Sequence, residues 1–184
     1  MKKFIFQFSV SLDGYIAGPH GEIDWHLVDD EFNAYAVEML KASDVLIMGR
    51  RTYELMAAAW PTDTANNPVV KEKMNSTPKL VFSKTLKKVD WQNSRLATGS
   101  IAEELARLKQ LPGDGLIPVG GSQLAAAFLE QGLMDELRII LTPVLLGAGK
   151  TVFDGIKKRY SLRLIATKEF KSGNVILIYE PKLR

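Results

Sequence analysis

Short apolar, β-prone runs alternate with amphipathic stretches along most of this chain. That alternation leaves few folds open to it. Phe4 to Val10 reads as a first strand. DDEFNAYAVEMLKAS then sets Phe32, Tyr35, Ala36, Met39 and Leu40 on one helical face. Asp44 to Met48 is a short buried strand that ends at Gly49 and feeds the helical stretch RRTYELMAAAW. A short helix after Pro68, the strand Lys79 to Phe82 and a helix opened by Ser100 and Glu103 at capping-box spacing follow. GLIPVGG reads as a strand and SQLAAAFLEQG as a helix starting at Ser122 and stopping at Gly132. The last part of the chain is strand after strand: a long one over Asp135 to Gly147, then two joined at Ser172-Gly173-Asn174. This order predicts an α/β fold with a mainly parallel central sheet, helices on both faces and a C-terminal antiparallel hairpin at the edge.

With 184 residues, no repeat and no linker-like stretch, the chain reads as a single domain, 1–184. There is no cysteine, so disulfides, thiolate zinc sites and thiol nucleophiles are excluded, and a reducing cytoplasm is the expected setting. The net charge is only +3, with basic residues scattered apart from Lys157-Lys158-Arg159, which reads as a solvated run. Nothing in this pattern calls for nucleic acid. MKKFIFQFSVSLDG carries Gln7 and Ser9 in its apolar run and lacks a cleavage pattern, so it is a strand and not a signal peptide.

LLGAGKTVF, Leu145 to Phe153, ends its glycine-rich part in GKT, the tail of a triphosphate-binding loop. The pattern needs a glycine where Val144 stands and a helix directly after the lysine. TVFDGIKKRY, with Gly155 early in it, is a poor helix start. The stretch is a glycine-rich turn after a strand, and a kinase built on Lys150 is not expected.

Two strand-to-helix junctions are better placed to hold phosphate. They are MGRRT, Met48 to Thr52, and VGGSQ, Val119 to Gln123. At each, glycine admits a close backbone approach, and the unpaired amides of a helix N-terminus favour an anion. Arg50 and Arg51 add guanidinium forks at the first, and Ser122 can cap the helix or donate to phosphate at the second. Two phosphate-holding places suggest a dinucleotide, and a separate basic pocket suggests NADPH over NADH. Each junction also has a plain structural reading as a tight turn.

FSVSLDGYIAG, DWHLVDDEF, VLIMGRRTYE, KLVFSK, IPVGGSQLAAAFL and LRIILTPVLLGAGKTVF occur in an order that resembles the dihydrofolate reductase-like family. The nearer likeness is to the branch holding the reductase domain of bacterial bifunctional riboflavin biosynthesis proteins. That resemblance implies a three-layer fold and NADPH bound at the sheet. Gly49, Arg50, Arg51 and Thr52 would hold the 2′-phosphate and pyrophosphate, with Ser83 and Lys84 completing the 2′-phosphate pocket. Gly120 and Gly121, a pair that in this family often has a cis peptide, would bring backbone to the pyrophosphate beside Ser122 and Gln123. Ser9, Val10, Ile16 and Ala17 would lie against the nicotinamide.

The resemblance also implies hydride transfer to a C=N carbon or its ring-opened equivalent, a homodimer, and a carboxylate at the start of the first long helix. Asp30 takes that place, with Glu31 as its neighbour and alternative. Asp29 and Asp30 equally suit helix capping, a purely structural role. His20 and His26 are expected to face solvent. The leading expectation is a reductase of 5-amino-6-(5-phosphoribosylamino)uracil or a similar pyrimidine. Dihydrofolate is the alternative substrate, and a non-catalytic NADPH-binding module the alternative class.

Overall fold

The computed structural model describes residues 2–153, 156 and 158–182; Gly155 and Lys157 lie outside the described residues. The elements run β1 (Lys3–Ser11), β2 (Tyr15–Ala17), α1 (Asp30–Lys41), β3 (Leu46–Gly49), α2 (Arg50–Ala59), α3 (Pro68–Ser76), β4 (Lys79–Phe82) and β5 (Ser94–Leu96). They continue with α4 (Ile101–Lys109), β6 (Leu116–Gly120), α5 (Ser122–Glu130), β7 (Glu136–Thr142), β8 (Lys150–Thr151), β9 (Leu162–Glu169) and β10 (Val175–Pro181). Eight strands form one sheet in the order β5-β4-β3-β6-β1-β7-β10-β9. All neighbours from β5 to β7 are parallel; β10 runs antiparallel to β7 and to β9. This is the mainly parallel sheet with an antiparallel edge that the alternation of patterns predicts.

Side-chain alternation along the strands builds the three layers. Val45 and Ile47 join Phe4, Phe6, Leu80, Leu105 and Phe128 in the core under α4 and α5. Leu46 and Met48 point the other way, to Leu40, Tyr53, Val70 and Val81 under α1, α2 and α3. A smaller apolar group on the α1 side, Ile140, Phe170 and Ile176 with Phe32 and Tyr35 against them, seats the hairpin.

Two expectations need correction. The long strand over Asp135 to Gly147 stops at Thr142, because Pro143 has no amide to give the ladder. The Gly120–Gly121 peptide is not cis, since no cis bond occurs among the described residues; Gly121 instead turns the chain at φ +103°. The short strands β2, β5 and β8 carry too few residues for a periodic pattern and were not anticipated.

Candidate functional site

β3 leads through α2 and α3 to β4, away from β1. Its neighbour β6 leads through α5 to β7, on the far side of β1. The chain therefore departs in opposite directions from two adjacent parallel strands, the topology that opens a ligand crevice at strand carboxyl ends. Met48 pairs with Gly120 in register, so Gly49 and Gly121 emerge side by side. A cavity of about 660 Å³ lies there.

The cavity brings together Gly49, Arg50, Arg51 and Thr52 from the first junction, and Gly121, Ser122 and Gln123 from the second. Ser83 and Lys84 join them from the end of β4. No carboxylate is among its lining residues, whereas two arginines and a lysine are. Both helices that point into it start on glycine. The N-caps of α2 and α5 are Gly49 and Gly121, neither supplies a side-chain bond, and neither first turn holds an acid. The amides and the positive end of each helix dipole are thus left for an anion. Ser122 is the first residue of α5 and does not cap it, which narrows the two roles read for its hydroxyl.

Packing explains the glycines as well. A Cβ on Gly121 would lie 2.8 Å from the Thr52 hydroxyl, and one on Gly120 would lie 3.1 Å from the Thr52 methyl. Thr52 therefore locks the two junctions together. The Ser83 hydroxyl accepts from the amides of Thr85 and Leu86 at 3.1 and 2.9 Å, which shapes the turn presenting Lys84. Arg50 makes one exposed 3.5 Å contact with Glu54, an i,i+4 pair too weak to tie it down. Phe82, Thr85, Leu124 and Ala127 also line the cavity and escaped sequence reasoning. They are ordinary residues whose place depends only on the fold; the glycines and arginines beside them were the visible signal.

Other predicted residues lie outside this cavity. Gly120 ends β6 beneath it. Ser9 and Val10 sit near the carboxyl end of β1, and Ile16 and Ala17 belong to β2, which pairs with β8. Asp30 is exposed in the first turn of α1. Asp29 caps that helix, accepting from the Phe32 amide at 2.7 Å, so Asp30 is not needed for it. The Glu31 carboxylate accepts from the Lys171 amide at 3.0 Å and ties α1 to the hairpin turn. His26 is half-buried rather than solvent-facing, and burial lowers its pKa. Its Nε2 is buried without a partner.

The glycine-rich loop before β8 already holds an anion, and the anion belongs to the chain. The Asp13 carboxylate accepts from the Gly147 amide at 2.7 Å and from the Leu146 amide at 3.1 Å. Asp13 also accepts from the Ser11 hydroxyl at 2.6 Å, and that bond is the foremost cause of its lowered pKa. Lys150 stands in β8, a strand, so the helix that a triphosphate loop requires is replaced. A Cβ on Gly149 would lie 2.2 Å from the Ala17 carbonyl oxygen. The loop is built to press on β2, and Phe153 beyond it packs edge-on against Phe6 and Phe8.

The RibD C-terminal domain family matches residues 2–176 of the chain. The uncharacterized protein YyaP of Bacillus subtilis (strain 168) is 33% identical over 180 residues, covering 97% of this chain and 94% of that protein. A solved structure named for riboflavin biosynthesis, from Shewanella sp. PV-4, superposes with a TM-score of 0.77 at 26% identity, covering 98% of this chain and 99% of that one. Dihydrofolate reductase from Enterococcus faecalis, complexed with NADP(H) and RAB-propyl, superposes with a TM-score of 0.62 at 17% identity, covering 97% and 96%. That last likeness speaks for the fold, which is the dihydrofolate reductase-like one. No helix among the described residues is long and apolar enough to cross a membrane. The match along nearly the whole length, the fold and the crevice at the β3–β6 junction agree: the chain belongs to the RibD C-terminal domain family.

Proposed function

We propose that the chain is an NADPH-dependent reductase that delivers hydride to a pyrimidine- or pterin-like heterocycle, with 5-amino-6-(5-phosphoribosylamino)uracil as the first substrate to try. The carrying observation is the crevice lined by Arg50, Arg51 and Lys84, into which two helices without side-chain caps direct their amides. The residues fit the cofactor. Guanidinium forks suit a 2′-phosphate, and the glycine-capped helix ends suit a pyrophosphate. In this reading Gly49, Arg50, Arg51, Thr52, Ser83 and Lys84 hold one end of the dinucleotide. Gly120, Gly121, Ser122 and Gln123 hold its middle, and Ser9, Val10, Ile16 and Ala17 take the nicotinamide. NADPH, when bound, supplies the hydride; the chain positions it and excludes water.

Asp30 is the carboxylate assigned to favour protonation of the acceptor nitrogen, with Glu31 as its alternate. The assignment is supported by Asp29 already serving as the cap, which leaves Asp30 without that structural duty. A homodimer and a cytoplasmic setting belong to the same reading. The test follows NADPH oxidation in the presence of the ribosylaminouracil substrate and, separately, dihydrofolate. Turnover with the first, cut by about a hundredfold in Asp30→Asn with cofactor affinity kept, is the expected result. Tight NADPH binding with no turnover on either substrate contradicts the reductase reading and leaves a binding module.

A further inference from the structure

A second cavity lies at the opposite end of the sheet, where the parallel strands begin. Its volume is about 670 Å³, and it opens between Val45, Lys79, Ser94 and the segment following α4. β3 and β4 have four residues each, so roughly 13 Å of strand separates this cavity from the crevice at their other end. It owes nothing to the reductase assignment.

Its floor is apolar, formed by Val45, Leu80 and Leu108, with Leu111 and Pro112 on its exposed rim. Its side-chain charge is mostly positive: Lys2, Arg95 and Arg107 line it against Asp44. Lys2 is neutralised, because its ammonium pairs with Asp44 and donates to the Pro112 carbonyl. Arg95 and Arg107 share a single carboxylate, the fully buried Glu104, at 2.7 and 3.3 Å. Two guanidinium charges thus face one acid. The Lys79 ammonium donates to the carbonyls of Asn75, Thr77 and Gln92 and sits 4.3 Å from the Trp91 ring centroid. That ammonium is therefore satisfied in the other apolar layer, with Trp91, and adds no charge to this cavity. The Ser94 hydroxyl, in the same lining, is buried without a hydrogen-bond partner.

An apolar floor, an excess of positive charge and an unpartnered hydroxyl describe one class of ligand. We propose that this cavity binds a small organic anion with an apolar body, the body on Leu80, Leu108 and Leu111 and the carboxylate or phosphate at Arg95 and Ser94. Pockets of this size suit molecules of one or a few rings.

The test titrates 2-naphthoate, 2-naphthyl phosphate and neutral 2-naphthol into the intact chain and maps amide shifts by NMR. Saturable shifts at Ser94, Arg95 and Leu111, with Gly49 and Gly121 unmoved, are expected. Naphthol should bind roughly tenfold more weakly than the anions, the worth of a charge-assisted hydrogen bond. The tighter of the two anions then identifies the head group, and tight binding of either upholds the site. Arg95→Gln should lower anion affinity by a similar factor. Leu111→Asp, on the exposed rim and clear of Glu104, does the same in a variant that keeps both Glu104 ion pairs intact. Equal affinity for naphthol and naphthoate, shifts confined to the crevice, indifference to Leu111→Asp, or no saturable binding would overturn the proposal.

Discussion

The N-termini of α4 and α2 are built in opposite ways. α4 closes itself. The Ser100 hydroxyl accepts from the Glu103 amide, the Glu103 carboxylate accepts from the Ser100 amide at 2.7 Å, and Glu103 and Glu104 answer the helix dipole. α2 starts on Gly49 with no side-chain cap, and its first turn carries Arg50 and Arg51, the wrong charge for its own dipole. α5 repeats the open arrangement with Gly121, while α1 and α3 repeat the closed one with Asp29 and Asn67. The loop at Leu146 and Gly147 is an intermediate case, its amides satisfied by Asp13. Where the chain closes a helix end, it supplies the capping oxygen itself, from Asp29, Asn67 or Ser100. Where it does not, the two open ends meet in one crevice.

This contrast can be broken at either side, and the largest effect is expected at the closed one. Glu104→Gln takes the charge from the buried acceptor shared by Arg95 and Arg107 and should cost about 2–3 kcal/mol in urea unfolding, with cofactor affinity unchanged. The wild-type pH dependence has a definite sign. The Arg95 hydrogen bond first, then the Thr98 amide, lowers the Glu104 carboxyl from 4.5 to about 2. The stabilisation is therefore complete above the unfolded value and lost as pH falls toward about 2. A Glu104→Gln chain should lack that part of the acid transition.

Gly121→Ala comes next. It forces a side chain into a left-handed backbone and onto Thr52, and should cost roughly 1–2 kcal/mol in thermal or urea unfolding along with cofactor affinity. Gly132→Ala is its control. Gly132 also has positive φ but opens on empty space, so only the smaller backbone penalty should remain. Ser100→Ala removes the α4 cap and should cost about 1 kcal/mol of stability with no effect on the crevice. The smallest effect is local. Asp13→Asn should speed hydrogen exchange at Leu146 and Gly147 and leave global stability nearly untouched. Because the folded Asp13 carboxyl titrates below its ordinary value, the same loosening should develop in wild type as pH falls through that lowered value.

The sheet and both helical layers were legible because each rests on a run of apolar residues matched to its element, and the hairpin because Ser172-Gly173-Asn174 marks its turn. β2 and β8 were not. Each is only two or three residues long, and Gly149 fits against Ala17 because of where two distant loops meet. At the crevice, Gly49, Arg50, Arg51 and Gly121 were legible because glycine at a strand end and arginine on a first turn both suit a phosphate, whereas Lys84 was carried only by the family resemblance. Phe82 and Leu124 were not, because nothing separates them from core residues until the helices are placed. Asp13 carried no signal of its own; the amides it holds, at Leu146 and Gly147, lie more than a hundred residues away. The choice between Asp29 and Asp30 as the cap needed backbone geometry, which spacing alone does not carry.

The most direct measurement is a calorimetric titration of NADPH, then NADH, into the wild-type chain and into Arg50→Ala. Clear preference for NADPH is expected in the wild type. The variant should lose about 1.5–3 kcal/mol for NADPH alone, the worth of a charged phosphate contact. Equal affinity for both cofactors, or an Arg50→Ala chain that still prefers NADPH by the same margin, would contradict the assignment of the arginine-lined crevice as the cofactor's 2′-phosphate site.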